Sequence, residues 1–440
     1  MAQTSSGSVP RAHELDVHAA LVRRRAAVAQ EWRDRDEVVL IGAGELILRP
    51  GRDDMAHRFE AHSDYFYLTD RNQPGGVLAF DPADGWVDFT APVTVEDRLW
   101  SGAVDDGGEG PTTDELPGWL AARSSRKVAW LGSPPPGETV DGLSEELRFG
   151  LMSVRRPKDE VELARMRIAN DATLAAFNAA LPLLREGVSE RDVQIELEAT
   201  AYRHGAEAMG YDTIIGGGTN SAVLHFAPSA RRFNAGELVL IDAGAQYLGY
   251  TSDVTRTYGV GGRLTAVQQD IHAVVHRALV AATERCRPGV EWRDIHLTAA
   301  LTIAEGLSGI GLLRGDPGSL VESGAAWLFF PHGIGHLVGL GVRDAGGMPL
   351  RERRNDPRPY PNLRIDLPLE PGYVVTVEPG VYFVPAILDD PENRRSHRDS
   401  VNWGAVDELL DFGGVRIEND VLITDDGHEV TTGDVPMFAT

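Results

Sequence analysis

The sequence predicts an α+β protein of two domains, and three observations carry that reading. Its 440 residues exceed one typical domain and leave room for an ample core. Short β-branched runs such as Leu238–Ile241 and Val374–Val377 alternate with stretches of helical apolar spacing. Turn signals and charge then change together at Arg155-Arg156-Pro157-Lys158-Asp159-Glu160, which sets a boundary between 13–155 and 156–440.

The elements follow in order. Residues 1–12, rich in serine and small polar types, are expected to form a mobile tail. Residues 13–34 read as a helix, and 37–41 and 76–80 as short strands. Pro-Ala-Asp-Gly at 82–85 and Ser-Pro-Pro-Pro-Gly at 133–137 mark turns, so 13–155 reads as a small α/β domain. Pro157 is expected to open the next helix, with acids in its first turn. Apolar spacing continues that helix over 159–184. Ser189 with Asp192 resembles a capping box for a second helix. Thr265 with Gln268 does the same for 265–286, which Pro288-Gly289 stops. A further helix over 291–307 completes two pairs, separated by strand-rich stretches. The segments 345–371 and 385–400 read as long loops.

Composition narrows the class. Hydrophobic residues at 42% and charged residues at 25% are ordinary for a soluble globular chain. A formal charge of −24 disfavours nucleic acid and anionic membranes as partners. The single cysteine, Cys286, excludes an internal disulfide and fits a reducing cytoplasm. Neither a membrane span nor the apolar core of a signal peptide is evident, so a cytoplasmic location is expected.

Five residues carry the chemistry. Asp242 closes the apolar run 238–241, and Asp253 follows eleven positions later in Thr-Ser-Asp-Val-Thr-Arg. His336 ends Pro331-His332-Gly333-Ile334-Gly335, Glu378 ends the run 374–377, and Glu418 follows Val415-Arg416-Ile417. Four carboxylates and one imidazole suit two divalent ions of the manganese, cobalt or zinc kind, not a thiolate zinc site. Ligands at strand ends are held more accurately than ligands on loops. Two ions about 3.5–4 Å apart need bridging carboxylates, and an Asp and a Glu can each supply one. Any one of these acids could merely cap a strand or pair with an arginine; all five together point to metal.

The order and contexts of these residues resemble the pita-bread metallopeptidases, which include methionine aminopeptidase, aminopeptidase P, prolidase and creatinase. The resemblance covers about residues 155–435. It implies a pseudo-twofold pita-bread domain over 156–440, a smaller creatinase-like α/β domain over 13–155, and a homodimer. It also implies that Asp242 chelates one metal, that His336 and Glu378 chelate the other, and that Asp253 and Glu418 bridge them. Manganese is the first expectation for both ions. By the same resemblance His225 steadies the tetrahedral intermediate, His332 lines the substrate cleft, and Glu378 passes a proton to the leaving nitrogen. His272, His276 and His296 have no such context and read as surface or core histidines.

Three arginines bear on the substrate. Arg364 lies fourteen residues before Glu378, where prolidases place the clamp for a dipeptide carboxylate. A planar guanidinium suits that task. Arg416 is expected to support Glu418 or the cleft and to bind substrate. Arg343 departs from the family pattern, since the chain reads Gly-Leu-Gly-Val-Arg-Asp where a histidine usually precedes the aspartate. Arginine can donate hydrogen bonds there but cannot act as a neutral imidazole. The expected activity is therefore hydrolysis of an Xaa-Pro dipeptide, with catalytic roles for His225, Glu378, His332 and Arg343. The alternatives are aminopeptidase P-like cleavage of longer peptides, favoured by Ser63-Asp64-Tyr65-Phe66-Tyr67, and a diverged small-amide hydrolase.

Overall fold

The computed structural model describes residues 16–51, 55–100, 102, 110–135, 138, 142–348 and 363–438. The expected tail over 1–12 and the centre of the loop 345–371 lie outside them. The chain divides after Arg155 into two compact units.

Among the described residues, the first unit is built on a sheet of four strands. Val38–Ala43 pairs in parallel with Val128–Ser133 and antiparallel with Val77–Asp81, which pairs in turn with Gly85–Phe89. Every residue of Val38–Ala43 is buried, as its unbroken Val-Val-Leu-Ile run requires. The helix Val17–Glu31 starts at Asp16, whose carboxylate accepts from the Ala19 amide. It packs near Gly142–Arg155, where the Trp32 indole donates to the Leu147 carbonyl at 3.0 Å. The Ser63-Asp64-Tyr65-Phe66-Tyr67 sequence forms the start of the buried helix Ser63–Thr69. Burial raises the Asp64 pKa, but the charges of Arg155, His62 and Arg148 outweigh burial and hold it below the usual range.

The second unit stacks two helix pairs on two small antiparallel sheets. Glu160–Ala180 pairs with Glu190–Arg203, and Ala266–Arg285 with Trp292–Gly309. The boxes Ser189–Asp192 and Thr265–Gln268 cap two of these helices. Pro157 does not open the first helix. Asp159 caps it, with Glu162 closing a capping box, while the Lys158 amide is drawn away to the Gly372 carbonyl. Cys286 caps the third helix from outside it, fully buried, and burial pushes its thiol up to about 12.

Each helix pair covers one sheet. Ala172, Phe177 and Leu197 pack with Val239, Ile241 and Val254 of the sheet Ile214–Gly217, Leu238–Ala243, Val254–Gly259. Ile271, Ala299 and Ile303 share a core with Val375, Val377 and Val421 of the sheet Val374–Val377, Asn419–Ile423, His428–Val430. Gly380–Tyr382 also pairs with Gly414–Arg416, and Ala208–Met209, Ala245–Tyr247 and Tyr250–Thr251 form another small sheet. The two halves join edge to edge: the Thr257 hydroxyl bonds the Arg416 backbone at 3.0 and 3.1 Å, and the Glu418 amide donates to the Thr255 carbonyl at 3.0 Å. That seam places the acids of both halves side by side.

The segment 385–400 is not a loop. Pro385–Leu388 and Pro391–Ser396 are short helices, each opened by proline at its first position, and Asp390 caps the second. Among the described residues, no helix is long and apolar enough to cross a membrane.

Candidate metal centre

Strand geometry delivers each acid. Asp242 lies near the end of Leu238–Ala243, opposite Thr255 in register. Asp253 immediately precedes Val254–Gly259, and its amide donates to the Asp420 carboxylate at 3.0 Å. Glu418 fills the break between Gly414–Arg416 and Asn419–Ile423, where its carboxylate accepts from the Thr255 hydroxyl at 2.6 Å. Glu378 follows Val374–Val377 directly.

His336 reaches the same point because 334–336 runs along that strand. The Thr376 amide donates to the His336 carbonyl and the Glu378 amide to the Ile334 carbonyl, each at 2.8 Å. Gly335 permits this approach, since a Cβ there would collide with the Thr376 carbonyl. The His336 Nδ1 lies 3.0 Å from the Leu337 carbonyl, which can only accept, so Nδ1 carries the proton and Nε2 faces the acids. Nε2 stands 3.4 Å from Asp253 and 3.8 Å from Glu378. Ligand atoms of Asp253, His336 and Glu418 all lie within 4.8 Å of one another.

The electrostatics test whether this set suits a cation. Burial, then repulsion from Asp253, Glu378 and Asp242, pushes Glu418 well above the usual carboxylate range. Glu378 is pushed up to about 7, chiefly by burial and against the pull of His336 and Arg416. Asp242 is raised by burial and by Asp253, although Arg416 and Tyr211 oppose it. Burial disfavours a charged His336, but Asp253 and Glu378 outweigh it. Ionising all of these buried acids would place more negative charge here than Arg416 and His336 neutralise, which is why burial and mutual repulsion raise Glu418, Glu378 and Asp242. Divalent cations held by hard oxygen donors and one imidazole match that demand, and the residues present fit them.

A second ring of side chains sets these donors. The Tyr211 hydroxyl lies 2.6 Å from both Asp242 and Asp253. The Arg416 guanidinium reaches Asp242 at 2.5 Å, the Tyr382 hydroxyl at 3.0 Å and the Thr255 hydroxyl at 3.1 Å. Arg416 is almost wholly buried; these partners hold it on Asp242 and, through the Thr255 hydroxyl, beside Glu418, and it lines the cleft as well. His332 lies 2.8 Å from the Gly333 carbonyl through Nδ1, so its Nε2 accepts from Tyr382 at 2.9 Å. Burial, with the Arg416 charge, lowers its pKa to about 3 and keeps it neutral.

All ten residues singled out in the sequence line one cleft of about 740 Å³. His225, Arg343 and Arg364 are exposed on its walls, beside Arg191 and Gln194. Sequence reasoning missed Tyr211, Thr255, Tyr382 and Asp420. Asp420 and Thr255 had a signal, because each stands two positions from an acid of the centre, Glu418 and Asp253, in a strand-like run and so on the same face.

Comparison with known proteins identifies the family and the fold. The profile of metallopeptidase family M24 matches residues 164–425. A probable Xaa-Pro aminopeptidase of Botryotinia fuckeliana is 30% identical over 415 residues, spanning 91% of this chain and 90% of its own. Aminopeptidase PepP of Pseudomonas aeruginosa superposes with a TM-score of 0.79 at 28% identity, over 96% of both chains. Escherichia coli aminopeptidase P, solved with the inhibitor Pro-Leu, gives a TM-score of 0.78 at 27% identity, again over 96% of both chains. With the family profile, a whole-length relative and these folds in accord, the chain belongs to metallopeptidase family M24 and has the α+β pita-bread fold.

Proposed function

We propose that this chain is an Xaa-Pro aminopeptidase that releases the residue before proline from peptides longer than two residues. One observation carries the reading: five metal-type donors, His225 and His332 meet in a single cleft. The sequence favoured a dipeptidase, whereas the relatives described above are named as aminopeptidases, and that supports the longer substrate.

In this reading Asp242, Asp253, His336, Glu378 and Glu418 would together hold two divalent ions. Manganese is the first choice, with cobalt or zinc as substitutes, because the donor set suits all three. When bound, the ions supply an activated water and polarise the scissile carbonyl. The chain's own groups do the rest. His225, exposed on the cleft wall, donates a hydrogen bond where negative charge develops on the carbonyl oxygen. Glu378, with about a fifth of its side chain exposed, relays a proton to the leaving proline nitrogen. His332, fixed as one neutral tautomer, shapes the cleft beside Glu378 without moving a proton. The acidic inner end receives the substrate ammonium, and Arg343 lies where it can donate to the peptide.

A dipeptidase is the second reading, favoured because Arg364 is exposed on the cleft wall where a carboxylate could meet it. The acidic surface charge and the lone buried cysteine fit a cytoplasmic enzyme, which we take to act as a homodimer without nucleic acid. Glu378→Ala tests the assignment: it should abolish hydrolysis of Ala-Pro-Ala while leaving the unfolding curve in place. Retained turnover would remove Glu378 from the chemistry.

A further inference from the structure

We propose that Glu190 is the positioning residue that holds the His225 segment in the cleft, an inference that rests on the role given to His225 above. Glu190 is the first residue of the helix Glu190–Arg203 and is fully buried. Its two carboxylate oxygens divide their work. Oε1 accepts from the Gly217 amide at 3.0 Å and from Asn220 Nδ2 at 2.8 Å. Oε2 accepts from the Ser229 amide at 3.0 Å and from the Ser229 hydroxyl at 2.6 Å. One side chain thus ties both ends of 217–229, and His225 lies between them.

The rest of the helix start reinforces this tie. The Glu190 amide donates to the Arg231 carbonyl at 3.1 Å and the Arg191 amide to the Ser229 carbonyl at 2.9 Å. The Arg191 guanidinium reaches the Pro228 carbonyl at 2.6 Å. Backbone bonds of this kind survive any substitution at Glu190; the bonds from Gly217, Asn220 and Ser229 to its carboxylate do not. All four donors are neutral, and a carboxylate is acceptor-only with room for all of them. Glutamine has the same shape but sets an NH2 group against an N–H donor at one end, so the tie to that end is weakened. His225 itself is exposed, and a displacement of about 1 Å from productive geometry costs roughly 100-fold in rate.

The test couples Glu190→Gln with His225→Ala in the full-length, manganese-loaded protein, using Ala-Pro-Ala. Glu190→Gln should lower kcat by about 10- to 100-fold with a much smaller change in KM. In the His225→Ala background the same substitution should cost almost nothing further, because it acts through the side chain already removed. Hydrogen exchange on the metal-free protein gives a second readout, with faster exchange expected over 217–229 and little change over 238–243. Asn220→Ala and Ser229→Ala, each removing a single side-chain donor, should shift both readouts in the same direction by less. They serve if Glu190→Gln folds poorly. Equal kcat losses in both backgrounds, or unchanged exchange over 217–229, would overturn the proposal. If the unsubstituted enzyme leaves Ala-Pro-Ala intact, the aminopeptidase reading fails, and exchange still decides whether Glu190 clamps the segment.

Discussion

Lys158 and Asp344 form a buried ion pair, with Nζ 2.8 Å from Oδ2 and both side chains at most 1% exposed. The Asp344 carboxylate also accepts from the Leu340 amide at 3.2 Å, and the Asp344 amide donates to the Leu337 carbonyl at 3.1 Å. The pair therefore staples the turn that follows His336, and carries Arg343, to the residue before the helix cap Asp159. Gly339 leaves the space for it, since a Cβ there would strike both side chains.

Breaking this pair from one side leaves a buried charge. Lys158→Met should cost about 3–5 kcal/mol in urea unfolding, while Lys158→Met with Asp344→Leu should recover most of it. A single substitution without measurable cost would show that the staple does not hold the turn.

Tyr211 offers its hydroxyl at 2.6 Å to each of two acids that are proposed to hold metal. Tyr211→Phe should weaken manganese binding about 10- to 100-fold, as loss of a ligand-orienting partner does, with little effect on the unfolding midpoint of the metal-free protein. Calorimetric titration decides it, and unchanged affinity would make Tyr211 a bystander.

How much of this was readable in advance depended on whether a residue's role lay in its own neighbourhood. The four acids and the histidine of the centre each sit in a short, recognisable context, the acids beside β-branched runs and His336 at the end of a glycine-rich turn, so each carried its own local mark. Tyr211 carried none. It reaches Asp242 and Asp253 only because Ala208–Met209 pairs with Ala245–Gln246, a contact between strands far apart in sequence. Glu190 looked like an ordinary acid in a first helical turn, and its partners lie up to 39 positions away. Pro157 misled because Asp159, two residues later, makes the better cap. Pro385 and Pro391 misled in the opposite sense, since proline that breaks a helix interior also starts one.

His272 gives a pH signature far from the centre. It is buried against Phe438, its Nε2 has no hydrogen-bond partner among the described residues, and burial, with the charges of His276 and Arg256, lowers its pKa to about 4. The folded state keeps it neutral, while the unfolded chain takes up a proton below about pH 6.5. Its contribution is therefore intact above that pH and is lost as the pH falls toward about 4. Between pH 7.5 and pH 5 it should remove about 2 kcal/mol. His272→Leu should flatten urea stability across that interval by the same amount; an unaltered slope would contradict it.

Arg343 is exposed on the cleft wall where the family pattern has histidine. Restoring Arg343→His should shift kcat/KM between Ala-Pro and longer peptides by about tenfold, the size of one charge-assisted hydrogen bond. Equal changes for all substrates would mean that Arg343 does not read the peptide.

The central claim meets its most direct test in manganese-loaded enzyme given Ala-Pro and, separately, Ala-Pro-Ala, with products followed by mass spectrometry. The account predicts that the tripeptide is cut to alanine and Pro-Ala much faster than the dipeptide is cut. Cleavage of the dipeptide alone would contradict it and make Arg364 the clamp of a prolidase.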